Sequence, residues 1–356
     1  MTIKPGAFRF NTDSMKLEIF RGSANYNGSA SMVGIGTLAA GQWEEIVATS
    51  PEVQTGGTRG LYGGGDNPAD QTNISYINID STGTAITFGD LTDGATALGG
   101  CSSRTRGLFC GGYYPSEADI EFVTISSTGN AAAFGDLTGH RIATNSVSSS
   151  TRGLTAGGRS SPSPTLSQFN TIDYVTIAQT GNSVDFGDLT EARNFIAAAG
   201  SSTRGIFAAG ATPGANSTID FTTISTLGNC ADFGDSSQGR SGLAGASNSV
   251  RMIIGGGYDA PAYVDTIDYI TISTLGNAQD FGNLTFARAS MDGTSSPTRG
   301  VFFGGTSPTV GSPSRTNTID YVQIMSLGNA VDFGDMNSSS PPSAYGTCSN
   351  GHGGLG

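Results

Sequence analysis

Histidine, cysteine, tryptophan and charge are all scarce in this 356-residue chain, and each scarcity removes a class of chemistry. The two histidines, His140 and His352, lie in different contexts without companion Cys, Asp or Glu at metal-ligand spacing. Neither a histidine-based catalytic centre nor a bound metal or cofactor is therefore expected. The four cysteines, Cys101, Cys110, Cys230 and Cys348, are too few and too scattered for a disulfide scaffold, and read as small buried apolar residues. Charged residues make up 13% of the chain and its net charge is −12, which leaves no basic footprint for nucleic acid or an anionic membrane. No apolar run reaches the roughly 18 residues of a membrane span, and Met1 to Gly6 lacks the apolar core of a signal peptide. The chain is expected to be made in a cytoplasm, without membrane insertion.

Glycine and a recurring phrase are present in excess. Glycine fills 54 positions, far above the usual share of about 7%, without the three-residue period of collagen. Short Val, Ile, Tyr and Phe runs return between Ser, Thr, Asn and Gly, the composition of a β protein with many tight turns. The stretch Thr171 to Asp188 recurs as near copies at Ile74 to Asp90, Ile120 to Asp136, Ile172 to Asp188, Ile219 to Asp235, Ile267 to Asn283 and Ile319 to Asp335. The Phe before Gly falls at Phe88, Phe134, Phe186, Phe233, Phe281 and Phe333, a period of 46, 52, 47, 48 and 52 residues. That spacing lies in the range of propeller blades.

A second signature precedes the first in each period: Thr-Arg-Gly, a mostly apolar run and Gly-Gly, as in Thr151 to Gly158. After the copy comes Leu-Thr-x-x-Arg or a relic of it, ending at Arg141, Arg193, Arg240 and Arg288, and then small residues such as Ile196 to Ser201. One period thus predicts four strands. The strand Ile172 to Ile177 has apolar bulk on both faces, as a strand sandwiched between like sheets must. Gly-Gly suits close packing where blades converge, and Thr-Gly-Asn or Leu-Gly-Asn suits the turn between the third and fourth strands. The first period begins at its second strand, Arg59, and the last is followed by Ser343 to Asn350, which reads as a first strand; the C-terminus is expected to complete blade one and close the ring. This order of Arg, small strand, Gly-Gly strand, Tyr strand and aromatic strand resembles the kelch repeat of β-propellers, with Phe where kelch repeats have Trp. The predicted fold class is all-β: a six-bladed kelch-like propeller over residues 51–356, preceded by a small β module over residues 1–50.

The first 50 residues lack the repeat. Phe8 and Phe10 alternate with Arg9, and Leu17 and Ile19 with Glu18, around the turn residues Asn11 to Ser14, which predicts a hairpin; Phe20 and the single Trp43 follow. So small a segment buries too little to stand alone, and these apolar side chains are expected to attach it to a partner. The run Gly6-Ala7-Phe8-Arg9-Phe10-Asn11-Thr12, followed by a strand and a Trp, resembles a short β module of tail-fibre and other virion proteins of tailed phages, particularly phages of aquatic bacteria. The resemblance implies a virion location. The module would join other virion proteins or a second copy of the chain, and the propeller would face a host-surface glycan or protein.

Variation between periods concentrates in the loops joining the Gly-Gly strand to the Ile-Asp-Tyr strand, which are longest in the third and sixth periods. Tyr113, Tyr114, Phe169, Tyr258 and Tyr263 lie in or beside them, and Tyr on loops of a rigid scaffold is a binding-surface composition. The Asp-Phe-Gly-Asp turns at Asp185 to Asp188, Asp232 to Asp235 and Asp332 to Asp335 are read as turn hydrogen bonding in preference to Ca2+ sites. Arg59, Arg106, Arg152, Arg204, Arg251 and Arg299 are read as pairing with acids such as Asp173, Asp220, Asp268 and Asp320 on the adjacent strand, in preference to a sixfold anion site. The expected role is non-enzymatic, as a tail fibre or adhesin. The alternatives are a capsid or tail decoration protein without receptor binding and a carbohydrate-active propeller enzyme.

Overall fold

The computed structural model describes residues 8–11, 16–21, 42–45, 57–66, 71–113, 118–160, 167–308, 314–337 and 343–355. The chain divides into two compact units, Met1–Val53 and Gln54–Gly356. In the first, strands Phe8–Asn11, Lys16–Arg21 and Gln42–Glu45 pair antiparallel in sequence order, with Phe8 opposite Ile19, Phe10 opposite Leu17 and Phe20 opposite Trp43.

The second unit is a six-bladed β-propeller. Blade 3 shows the plan: an inner strand Asn145–Ser148, a second strand Arg152–Ala156, a third strand Thr171–Thr176 and an outer strand Val184–Asp188, each antiparallel to the one before. The small residues of the inner strands are buried in all but two positions, because these strands meet around the axis. In the third strand Ile172, Asp173 and Val175 are all buried, so both faces are covered. Along the outer strand only Phe186 is fully buried. Blade 1 is assembled from both ends of the unit: Gly346–Ser349 pairs with Arg59–Gly63, Gly346 opposite Gly63 and Ser349 opposite Gly60, so the C-terminal strand closes the ring as expected.

The arginines that open the second strands do not pair with acids. Each lies over the third-strand aromatic of its own blade, at 4.2–4.7 Å from the ring centroid, as Arg152 lies over Tyr174. Each also donates from Nη1 to the Ile carbonyl at the end of the next blade's third strand, over 2.7–3.1 Å: Arg59 to Ile125, Arg106 to Ile177, Arg152 to Ile224, Arg204 to Ile272, Arg251 to Ile324 and Arg299 to Ile79. The aromatic in turn meets the outer-strand Phe edge-on, with centroids 5.9–6.1 Å apart. A cation over a ring contributes about 0.5–1 kcal/mol where partly exposed, and here it also orients the donor toward the next blade.

The acids belong to the other arginine column. Arg141, Arg193, Arg240 and Arg288, buried in the connections between blades, reach Asp173, Asp220, Asp268 and Asp320 at 2.6–3.1 Å. The Thr or Ser of Leu-Thr-x-x-Arg adds backbone and hydroxyl donors to the same carboxylate, as Thr190 does to Asp220. Burial lowers the affinity of the Arg193 guanidinium for its proton, and Asp220 pulls it back. Two blades vary the device. In blade 2, Glu121 accepts from Thr92, and in blade 1 the Tyr62 hydroxyl accepts from the Asn337 backbone N–H at 2.9 Å.

The Gly-Asn turns act between blades as well as within them. At all six junctions the turn glycine donates to the outer-strand Phe carbonyl of the preceding blade over 2.8–2.9 Å, as Gly181 does to Phe134. The N–H two residues later donates to that blade's last outer-strand carbonyl, as Ser183 does to Asp136. At five junctions the turn Asn also accepts from the backbone N–H of the preceding outer strand, as Asn182 does from Asp136. This contact explains the Gly of Asp-Phe-Gly. Gly187 has φ +146°, and a Cβ there would fall 2.5 Å from the Gly228 carbonyl oxygen of the next blade. Gly187→Ala is therefore expected to cost about 1–3 kcal/mol in urea denaturation, whereas Gly214→Ala, at a position with open space around it, should change stability by less than about 0.5 kcal/mol.

Candidate binding face

The loops between second and third strands and the connections between blades share one face of the propeller, joined by bridges such as Thr96 to Tyr113, Asn194 to Ala211 and Ser241 to Tyr258. The tight turns occupy the opposite face. At the centre of the loop face, two residues before each inner strand, Ala97, Ala143, Phe195, Gly242, Ser290 and Ala344 all have φ between +52° and +67°. The N–H of each donates to the carbonyl of its counterpart in the preceding blade, over 2.5–3.1 Å, so that six bonds close a backbone ring about the axis. A left-handed non-glycine residue costs about 1–2 kcal/mol, and here each conformation turns an N–H and a carbonyl into the ring.

Inside this ring lies a pocket of about 30 Å³ lined by Leu98, Asn145, Ile196, Leu243, Asp292 and Tyr345 among others. Asp292, at the start of the blade 6 inner strand, is buried and accepts from the N–H groups of Gly293 (2.9 Å) and Thr347 (3.0 Å), the Thr347 hydroxyl (2.9 Å) and Asn145 Nδ2 (3.4 Å). Burial pushes its carboxyl up to about 7, against the pull of these four donors. Asn145 comes from blade 3, directly across the ring. The sequence reasoning missed this pair. In the aligned column Gly99, Asn145, Ala197, Ala244, Asp292 and Gly346, the only signal is two polar residues, three periods apart, where the other copies have Gly or Ala.

Further along the axis, five inner-strand serine hydroxyls donate to carbonyls of the neighbouring blade: Ser102 to Ser349, Ser148 to Ser102, Ser247 to Gly200, Ser295 to Ser247 and Ser349 to Ser295. Blade 4 has Gly200 at that position. The C-terminal residues fill the axis at the turn-face end, where a Cβ on Gly354 would fall 1.7 Å from the Ser148 carbonyl oxygen. His352 Nδ1 accepts from the Gly354 N–H at 3.1 Å, so Nε2 carries the proton and donates to the Ser102 carbonyl, also at 3.1 Å. Burial lowers its pKa to about 4.

Of the residues singled out for binding, Tyr258 and Tyr263 are brought together. They face each other across the hairpin of Tyr258–Asp259 and Ala262–Tyr263 in blade 5, with ring centroids 5.0 Å apart. Tyr113 is exposed on blade 2, and Phe169 is half-buried on blade 3, its backbone bonded to Gly158 and Arg193. Tyr114 lies outside the described residues, as do the side chains of Phe8, Phe10, Leu17, Ile19, Phe20 and Trp43. The sixth-period loop carries the strands Thr306–Ser307 and Ser314–Arg315 and is tied to blade 1 by Arg315 and Asp66 at 2.8 Å.

No protein-family model and no curated protein matches this chain. The local chemistry therefore carries the reading of the site. Among the described residues no three His, Cys, Asp or Glu side chains converge as metal ligands. The Asp-Phe-Gly-Asp turns use their carboxylates locally, as Asp232 accepts from the Gly234 N–H and Asp235 from the Ser217 hydroxyl. Asp292 and Tyr345 are the titratable residues that line the loop-face pocket.

Asp292 gives the site a testable pH signature. Its folded pKa of about 7 lies above the ordinary 3.8, so its contribution to stability is full below the lower value and is lost as pH rises through the higher one. His352 works in the opposite sense: its folded value of about 4 lies below 6.5, so its contribution is full above 6.5 and is lost as pH falls toward 4. Between pH 6.5 and 8 the fall in stability should thus come from Asp292, and urea denaturation should find a shallower fall in Asp292→Asn than in the parent.

Proposed function

We propose that the chain is a non-enzymatic binding protein of a tailed-phage particle, attached through residues 1–50 and presenting the loop face of the propeller to a glycan or protein on the host surface. The observation that carries this reading is how the repeats divide their labour. The repeated Arg, Asp, Thr and Asn side chains are engaged in bonds that join blades, whereas Tyr113 and the Tyr258–Tyr263 pair, which do not recur, stand on the loop face. A closed ring of sheets holding variable loops suits display, since its loops can change without altering the bonds between blades. The attachment half of the proposal draws on the resemblance at Gly6 to Thr12 to virion proteins.

One observation favours a carbohydrate-active enzyme instead: Asp292 is a carboxyl with a raised pKa in an axial pocket, and such groups serve as general acids. Its four hydrogen-bond donors and the narrow pocket favour an internal role. Deletion of residues 1–50 should leave a folded propeller that no longer joins particles, and particles carrying Tyr258→Ala with Tyr263→Ala should adsorb to host cells at least about tenfold less. Full incorporation of the truncated chain would refute the attachment. Hydrolysis of a host glycan by the purified protein, lost in Asp292→Asn, would give the enzymatic reading the better claim.

A further inference from the structure

On the face opposite the loops, a cleft of about 290 Å³ opens between blades 4 and 5. Its cation is Arg204, half-buried, with its guanidinium over Phe221 at 4.6 Å and Nη1 donating to the Ile272 carbonyl at 2.7 Å. A carbonyl and an aromatic ring leave its charge uncompensated, and the ion pairs of the described residues lie elsewhere. A guanidinium has five N–H donors, of which Ile272 takes one. Around it stand the exposed hydroxyls of Ser202, Thr203, Ser249 and Ser273. These hydroxyls both donate and accept, and no carboxylate lines the cleft.

The other junctions show what selects this one. Beside Arg251 the corresponding positions are Ser249, Pro297 and Met325, two of them apolar, and beside Arg299 stands Asp80, whose carboxylate accepts from Ser296. Beside Arg152 they are Ser150, Ser202 and Ser225, so that two successive junctions, sharing Ser202, have a hydroxyl-lined arginine. We propose that the cleft between blades 4 and 5 binds an acidic saccharide, its sulfate or carboxylate on the Arg204 guanidinium and its ring hydroxyls on Ser202, Ser249 and Ser273. A protein of net charge −12 repels polyanions over its surface as a whole, so this site works at short range, where charge-assisted bonds outweigh screened repulsion. It lies on the turn face, and its loss is distinguishable from loss of the loop-face tyrosines.

The test uses the full chain and three fluorescent oligosaccharides of equal length: a sulfated galactan, an oligogalacturonate and a neutral galactan. At low ionic strength at least one charged probe should bind about tenfold or more tighter than the neutral one, and which one binds tells sulfate from carboxylate. Ser249→Asp with Ser273→Asp places two acids in the cleft without touching the contacts of Arg204, and should weaken that binding about tenfold or more with little change in thermal stability. Arg251→Met removes the same stacking and inter-blade bond one blade on, and should leave binding unchanged. Equal binding of charged and neutral probes, parental binding by the Ser249→Asp/Ser273→Asp variant, or loss of binding in Arg251→Met at a temperature where that variant is folded would each overturn the proposal.

Discussion

A propeller must hand a hydrogen bond from every blade to the next, because its blades pack face to face and are otherwise held by apolar contact that does not fix register. In this chain the handover is made at several levels from axis to rim. At the centre it is the ring of left-handed residues from Ala97 to Ala344, and next to it the serine hydroxyls on neighbouring carbonyls. Further out, Arg152 and its counterparts cross to the next blade's Ile carbonyl, and at the rim the Gly-Asn turns extend each outer strand. Most of the residues that recur in all periods serve one of these bonds or clear space for it. Gly187 is the clearest case, since its missing Cβ is the room that the Gly228 carbonyl occupies.

The closing blade bears a constraint the others do not. Its inner strand comes from the other end of the unit, so Gly346 must find Gly63, and pairing so distant in sequence is slow to form and has the largest loop-closure cost. Additional bonds collect there. Asp66 accepts from the Ser343 hydroxyl and pairs with Arg315 of the blade 6 loop, Tyr62 packs against Phe303 and Tyr345, and the residues after the closing strand run into the axis, where His352 donates to the Ser102 carbonyl and Gly354 fits closely against the Ser148 carbonyl. The closing segment is held at its strand and again beyond it, by His352 on the Ser102 carbonyl.

The fold was legible because it is written six times. A period near 48 residues, four strand signatures in each, and a first period that lacks its own inner strand together fix blade number and closure, and the structure has both. The side-chain partners were less legible. Sequence proximity suggested that Arg152 would meet Asp173, one strand away in the same blade; the side chains instead divide, Arg152 going to Tyr174 and Ile224 while Arg141 arrives from the preceding connection to take Asp173. Away from the closing junction, partners across blades lie some 30 to 70 residues apart, from 30 between Thr190 and Asp220 to 72 between Arg152 and Ile224, and a repeat pattern does not say which copy of a residue will be the neighbour. The turn glycines were read as local conformational devices for the same reason.

Departures from the repeat are harder to read and carry more chemistry. Once a side chain recurs in every blade, the shared geometry explains it, and it confers no property that distinguishes one blade from another. Asp292 and Asn145 break a column of small residues, and the burial that column was built for raises the carboxyl to about 7. Ser249 and Ser273, where the next junction has Pro297 and Met325, turn a structural arginine into an open cation among hydroxyls. The same arginine column thus faces hydroxyl, apolar and acidic surroundings at successive junctions, because its stacking and its inter-blade bond depend on backbone and ring alone. That independence lets surface residues beside each arginine vary without loosening the ring, which is the physical condition for a binding site to arise on a repeated scaffold.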